Sequence, residues 1–367
     1  GIMDVLMIPN RIEDFTVDWL NAVLASTIDA QVTECRVWQS EEPGQTAEIV
    51  VIEAVFDRDD PALPTRMIGK YTSQNPQVIE EIINVFDQYR RETSFYRDFE
   101  DPGIAIPKCL YQAFDAERQA FVLLMKDLGP ASSPSWGVST DQVEYGLRQL
   151  PRLHARWWNH ERLREKDYFV QFDDEHFFAM GFGGAAAIVP GLAAHFDNVA
   201  VTEALMPAVA EKLPKLQALY GTRPFTLVHG DYHAKQLFFP TDAGGEFAAI
   251  DWQFPFVAQG PWDFARLLVV TTPTEFRRGN ERRLMEVYLE GLRAEGVSDY
   301  GKQDFELDYR LGMIISHMIN VIAIGSTDVS IVARECESLG VDWKEVLFYR
   351  LQRALEEWDV LGLVESL

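Results

Sequence analysis

Up to about residue 126 the apolar residues recur in short runs rich in Val, Ile and aromatics, at 32–39, 48–56, 66–71 and 120–125, with turn formers between them. Runs of that composition predict strands of one sheet. One stretch departs from the pattern: between Val78 and about Phe99, the residues Ile79, Ile82, Ile83, Phe86, Tyr89 and Tyr96 fall at helical spacing and predict a single long helix. Beyond residue 126 the period is mostly helical, at 140–158, 201–220, 281–295, 309–324 and 341–358. The exception is a pair of β-type runs, 237–239 and 247–250, around a turn in which Gly244 and Gly245 can take the positive φ of a tight hairpin. The chain is therefore expected to be α+β, with an N-terminal sheet and one long helix in residues 1–126 and a larger, mainly helical part in residues 127–367. Residues 181–190, rich in Gly and Ala, fit a loop or a weak helix, and no internal repeat is visible.

Composition narrows the classes of function. With 367 residues and 47% hydrophobic content the chain can fill one large or two ordinary cores. A net charge of -24 argues against a nucleic-acid partner, because phosphate backbones are bound by clustered Lys and Arg. The same charge suits cationic substrates, although solubility alone accounts for it. Cys35, Cys109 and Cys336 are few, odd in number and far apart, which points to a reducing compartment without a disulfide framework. No run reaches the ~18 uninterrupted apolar residues of a membrane span. The best candidate, residues 311–324, is interrupted by Ser316, His317 and Asn320 and reads as a buried helix. Asp4 sits within the apolar start and no basic leader precedes it, so a cytoplasmic chain without a membrane partner is expected.

The chemistry concentrates in residues 226–252, T-L-V-H-G-D-Y-H-A-K-Q-L-F-F-P-T-D-A-G-G-E-F-A-A-I-D-W. Folding about the Gly244-Gly245 turn is expected to set Gln236 opposite Asp251, with Asp231 one short loop earlier. An acid, an amide oxygen and a second acid at one end of a small sheet suit phosphoryl transfer. In that reading Asp251 holds Mg²⁺, which favours hard oxygen ligands, and Gln236 adds a neutral oxygen. Asp231 orients the acceptor hydroxyl and takes its proton. Asp and Gly are also ordinary turn formers at strand ends. A metallohydrolase is the rival, since His229, Asp231 and His233 alternate and would share one face of an extended strand. It requires the strand to run through Gly230, a residue that favours a bend.

The N-terminal part offers a second constellation. Lys70 falls in a strand on the same face as Ile68, so its ammonium needs a counter-charge. Glu92 lies three residues from both Tyr89 and Phe95, beside the apolar stripe of the long helix, and is a candidate partner for Lys70 and for ATP phosphates. A solvated helix charge is the simpler reading of Glu92, within the polar run Arg90, Arg91, Glu92. The turn at 41–48 has only Gly44, followed by Gln45 and Thr46. Its backbone N–H groups and the Thr46 hydroxyl suit phosphate, whereas Glu41 and Glu42 do not.

Taken together, these residues resemble the aminoglycoside phosphotransferase and choline kinase group of the protein-kinase-like fold, closest to its ecdysteroid-kinase-like branch. H-G-D-Y-H-A-K-Q at 229–236 is similar to the family loop H-G-D-x-x-x-x-N, I-D-W-Q at 250–253 to its metal-binding I-D-W, and G-P-W-D-F-A-R-L-L at 260–268 to its G-x-x-x-D-L-A segment. Further matches are R-R-E-T-S-F-Y at 90–96, F-V-L-L-M-K-D-L at 121–128 and L-H-A-R-W-W at 153–158. The resemblance implies a two-lobe fold and an ATP- and Mg²⁺-dependent transfer of the γ-phosphoryl group to a small-molecule hydroxyl. It implies Asp231 as base, Asp251 as main metal ligand, Lys70 with Glu92 as the phosphate-positioning pair, and the backbone of residues 124–127, with Met125 and Asp127, as the hinge that meets adenine. Asp263 and His229 would be structural supports of the catalytic loop, and His154 a packed helix residue. Gln236 departs from the family Asn and the glycine loop is reduced, which leaves a nucleotide-binding pseudokinase as the alternative. The acceptor pocket would draw on the segment 169–182 and the helices after Asp263; Phe169, Phe172, Phe177, Phe178 and Phe182 could face an apolar alcohol, although filling the core is the simpler reading, and Asp173, Asp174 and Glu175 could instead receive an amine.

Overall fold

The structure, a computed structural model of the chain, describes residues 7–41 and 46–367. It divides into two compact units: Gly1–Asp101, Ala105–Pro130 and Ala243–Gln253 form the first, and Pro102–Ile104, Ala131–Asp242 and Phe254–Leu367 the second.

The first unit is built on five antiparallel strands, β1 (Val32–Gln39), β2 (Ala47–Phe56), β3 (Arg66–Thr72), β4 (Cys109–Asp115) and β5 (Ala120–Lys126), in the order β1-β2-β3-β5-β4. Helix α1 (Val17–Leu24), capped by the Thr16 hydroxyl, buries Trp19, Leu20, Val23 and Leu24. Along β5 the side chains alternate: Val122 and Leu124 join the same core cluster as these residues, while Phe121 stacks on Tyr89 of α2 (Gln88–Asp98) at 3.9 Å. Covered on both faces, residues 120–124 of β5 are all buried. The sequence pattern misses β4, because a register shift between Cys109 and Tyr111 disturbs its alternation.

The single long helix expected from Val78 is not formed. Short turns at Pro76–Val78, Ile79–Ile83 and Asn84–Phe86 end at Asp87, which adopts φ +57°, and only then does α2 begin. Asp tolerates the left-handed region, and the Asp87 carboxylate accepts from Arg90 Nε at 2.6 Å.

The second unit is mainly helical around a small sheet of β6 (Val170–Gln171), β10 (Phe256–Ala258) and β7 (Thr226–Val228), in that order. Its helices include α3 (Thr140–Arg156), α4 (Glu175–Ile188), α5 (Ala200–Glu211), α6 (Leu213–Tyr220), α7 (Pro261–Ala265), α8 (Thr274–Ala294), α9 (Lys302–Ser326) and α10 (Val329–Ser338). Pro214, which has no N–H to donate, opens α6 and splits the helix expected at 201–220. The Gly/Ala-rich stretch lies mostly within α4, its last two residues opening the short turn Val189–Ala194; Asp174 caps the first turn of α4, and Gly181 lies so close to Met318 that a Cβ there would collide with its sulfur. Helix α8 begins seven residues before the expected run because its first turns bury charge rather than apolar surface: Arg277 pairs with Glu281 at 3.1 Å and Glu357 at 2.5 Å. The expected hairpin arms shorten to β8 (Leu237–Phe238) and β9 (Ala248–Ala249). Two helical segments, Glu175–Ala194 and Lys302–Ser326, are long and apolar enough to cross a membrane, and most of the latter is buried inside the protein.

Candidate active site

In the first unit, the central strand β3 carries Lys70 inward to a buried ammonium site. Its Nζ lies 2.7 Å from Glu92 Oε1 of α2 and 3.1 Å from Asp251 Oδ1. Burial by itself would lower the pKa of Lys70, but the carboxylates of Asp251 and Glu92 outweigh it and hold the group above its ordinary value, so the ammonium stays charged. Burial, with Asp251 nearby, pushes Glu92 up despite the attraction of Lys70. Helix α2 anchors Asp251 a second way: Phe95, one turn after Glu92, stacks on Trp252 at 4.4 Å, and the Trp252 indole donates to Ala249 O. Asp251 itself adopts φ +60°, a left-handed conformation of the kind that persists where its surroundings over-determine it, and its side chain remains 31% exposed. One cation thus faces two carboxylates, an excess of negative charge that a metal cation would neutralise.

Elsewhere in this unit the Thr46 backbone carbonyl accepts from Tyr89 Oη at 2.7 Å, and its hydroxyl donates to Gln253 Oε1 at 3.5 Å. Gly44, with Glu42 and Gln45, lies outside the described residues. Met125 pairs in register with Ile68, and Asp127 follows the end of β5, its N–H donating to Arg66 O and its carboxylate 3.4 Å from Arg66 Nε.

In the second unit, β7 ends at Val228 and the chain turns at Gly230, with φ +89°. A Cβ at Gly230 would strike the Phe254 carbonyl, so the turn requires glycine. Asp263 of α7 holds this turn by its backbone, accepting from His229 N at 2.9 Å and Gly230 N at 3.1 Å. His154 of α3 steadies Asp263 in turn: its Nε2 lies 2.9 Å from Asp263 Oδ2 and its Nδ1 2.8 Å from the Tyr288 hydroxyl. The His229 ring nitrogen Nδ1 accepts from Asp231 N. Beyond the turn, Asp231 Oδ1 takes the Arg266 Nε at 2.8 Å, and Oδ2 accepts from Gln236 Nε2 at 3.2 Å with His233 Nε2 at 3.5 Å. Burial would raise the Asp231 carboxyl, but protonated His233 and the Arg266 guanidinium draw it well below the usual carboxylate range. His233, lowered by its own burial and stacked on Trp136, is uncharged at neutral pH, which leaves Arg266 as the lasting source of that pull.

A model of the ecdysteroid kinase-like family matches residues 65–296. The chain belongs to that family. Solved structures share the α+β, kinase-like fold of this ecdysteroid kinase-like chain. Choline kinase LicA from Streptococcus pneumoniae is similar with a TM-score of 0.50 and 16% identity, over 93% of this chain and 98% of its own. An ethanolamine kinase from Plasmodium vivax gives a TM-score of 0.50 at 10% identity, over 91% and 82%. The GDP complex of an aminoglycoside phosphotransferase gives 0.50 at 10%, over 96% of both chains. At such identities the likeness is one of fold. None of the curated proteins matches the chain.

Two alternatives need correction in this family member, and a third point is decided. Because β7 stops at Val228, His229, Asp231 and His233 do not line one strand face, and among the described residues no group of three His, Cys, Asp or Glu is placed to hold a metal ion. Of the two readings of the aromatic segment, core filling is the one borne out: Phe169, Phe172, Phe177, Phe178 and Phe182 are all buried. Two of the three acids weighed for an amine are engaged, Asp173 with Arg164 at 2.6 Å and Asp174 as the cap of α4. Sequence reasoning also missed Arg266 and Tyr288. Arg266 stood within the quoted G-P-W-D-F-A-R-L-L run, three residues after Asp263 and so on the same side of a helix, which was the available signal.

Proposed function

We propose that this ecdysteroid kinase-like chain is an ATP- and Mg²⁺-dependent phosphotransferase that moves the γ-phosphoryl group to a hydroxyl of a small molecule. The observation that carries the reading is the Lys70 cluster, a buried ammonium shared by two carboxylates. The residues suit the absent groups. Lys70 is a charged phosphate contact kept in place by Glu92, and the exposed part of Asp251 is a hard oxygen donor of the type Mg²⁺ prefers. The Gln236 amide nitrogen is committed to Asp231, which leaves its carbonyl oxygen as a second, neutral donor. Bound Mg²⁺ would neutralise charge developing on the phosphates. Thr46 and the 124–127 backbone, with Met125 and Asp127, are assigned to the nucleotide, residues 1–126 being its lobe, and residues 127–367 to catalysis and the acceptor. Asp231 holds the acceptor hydroxyl and takes its proton, supported by Asp263 and His229. The cytoplasm, with its MgATP, is the expected setting.

MgATP binding by calorimetry tests the reading. Wild-type protein is expected to bind only with the metal present, and Asp251→Ala to abolish that binding; absence of binding in wild type would overturn the reading. One contact favours a second reading, nucleotide binding without turnover: the Gln236 amide occupies the Asp231 oxygen not held by Arg266. Phosphate transfer by wild-type protein would exclude that alternative.

A further inference from the structure

We infer that Arg266 is a positioning residue for Asp231, and that Ser316 and Asn320 of α9 are its seat; the inference rests on the kinase reading above. Arg266 is almost wholly buried, with 7% of its side chain exposed. Its Nε donates to Asp231 Oδ1 at 2.8 Å, while Nη1 donates to Ser316 Oγ at 2.8 Å, Ser316 O at 3.3 Å and Asn320 Oδ1 at 3.0 Å. A guanidinium is planar, so fixing Nη1 fixes the direction in which Nε points. Ser316 and Asn320 are four residues apart on one helix face, and both are buried. The polar interruptions that set α9 apart from an unbroken apolar helix therefore have a purpose: two of the three hold this guanidinium.

The chain geometry supports the same assignment. Asp263 secures the backbone of the turn at His229 and Gly230, and Arg266, three residues on, secures the side chain that follows it. Arg266 also opens a wider helical turn, Arg266–Val270, a distortion that recurs at functional positions. With Oδ1 held by the guanidinium, the acceptor is met by Oδ2, which takes the neutral Gln236 amide at 3.2 Å and keeps a lone pair for a second donor. In the proposed transfer the acceptor oxygen bonds to the γ-phosphorus, and the bond from that phosphorus to its bridging oxygen breaks with the electron pair leaving on ADP. The acceptor proton passes to Asp231 Oδ2. Arg266 touches none of the reacting atoms; it fixes which carboxylate oxygen faces them.

The test uses the full chain with MgATP and water as acceptor, following phosphate release, with MgATP binding measured separately by calorimetry. Arg266→Met is expected to lower kcat about 10- to 100-fold, the scale of a misplaced catalytic group, while leaving the KM for MgATP and its binding unchanged. Arg266→Lys should recover part of the loss, because an ammonium reaches one partner but cannot reproduce the fork. Ser316→Ala and Asn320→Ala should each lower kcat a few-fold with KM unchanged, and they carry the test if Arg266→Met does not fold. Wild-type kcat in Arg266→Met, or in both seat variants, would overturn the inference, as would a loss of kcat matched by an equal loss of MgATP affinity. Wild-type protein that fails to bind MgATP defeats the kinase reading itself, and the inference falls with it; wild-type protein that binds MgATP while Arg266→Met turns over normally defeats the inference alone.

Discussion

Both units bury one cation against carboxylates, but they satisfy the acids by different means. In the first, one ammonium, Lys70, serves two acids, Glu92 and Asp251, and Asp251 keeps part of its surface open. In the second, the acids are fully answered: Asp231 has Arg266 and the Gln236 amide, and Asp263 has two backbone N–H groups and His154. Acids that share one ammonium and stay partly open invite a cation from solution, while acids balanced by fixed hydrogen-bond donors are held in one orientation. Coulomb attraction is strong at such depth, so the imbalance of the first cluster is a functional statement rather than a surface accident.

The largest expected effect breaks the balanced cluster. Asp231→Asn removes the proposed base and should reduce phosphate release from MgATP about 10²- to 10⁴-fold, with MgATP binding retained in calorimetry. Next, Lys70→Met leaves Glu92 and Asp251 facing one another without their cation and should cost about 3–5 kcal/mol in denaturant unfolding. Because the missing charge is then a cation, Mg²⁺ should raise the unfolding midpoint of Lys70→Met more than that of wild type; equal responses would remove the charge-deficit reading. An effect that is smaller at mildly acidic pH concerns His317 of α9. Burial lowers the His317 pKa to about 3, so its unfolded form binds protons first as pH falls. Its contribution to stability is complete above pH 6.5 and is lost on acidification by about 1.4 kcal/mol per unit until the folded value is reached. His317→Gln should therefore show a shallower loss of stability between neutral pH and mildly acidic pH. The smallest change is Gln236→Asn, where an amide oxygen persists on a shorter arm, and phosphate release should stay within a few-fold of wild type or rise.

Much of the fold could be read from period alone. The strands that form β1, β2, β3 and β5 alternate or run apolar because a helix or core covers them, and α9 declares itself by a dense apolar face. What escaped notice was stabilised by something other than apolar period. Edge strand β4 carries a register shift, α8 opens with buried ion pairs, and the stretch before α2 is interrupted by a single left-handed Asp87. At the candidate site, Lys70, Glu92, Asp231 and Asp251 were conspicuous as charged residues in apolar or turn settings. Arg266 was not, because an Arg after Asp263 looks like any helix charge until its partners on α9, fifty and fifty-four residues later, are known. The polar residues of α9 were noticed as interruptions, but only the tertiary structure says what they accept. The return of Ala243–Gln253 to the first unit likewise has no local signature.

That return bears on how the protein is made. A ribosome releases β1 to β5 and α2 long before it reaches residue 253, so the nascent first unit has Lys70 and Glu92 but neither Asp251 nor the Trp252 ring that covers Phe95. Until the second unit's intervening chain has been synthesised, Phe95 lacks the ring that stacks on it, and a fragment ending at Pro130 would lack it permanently.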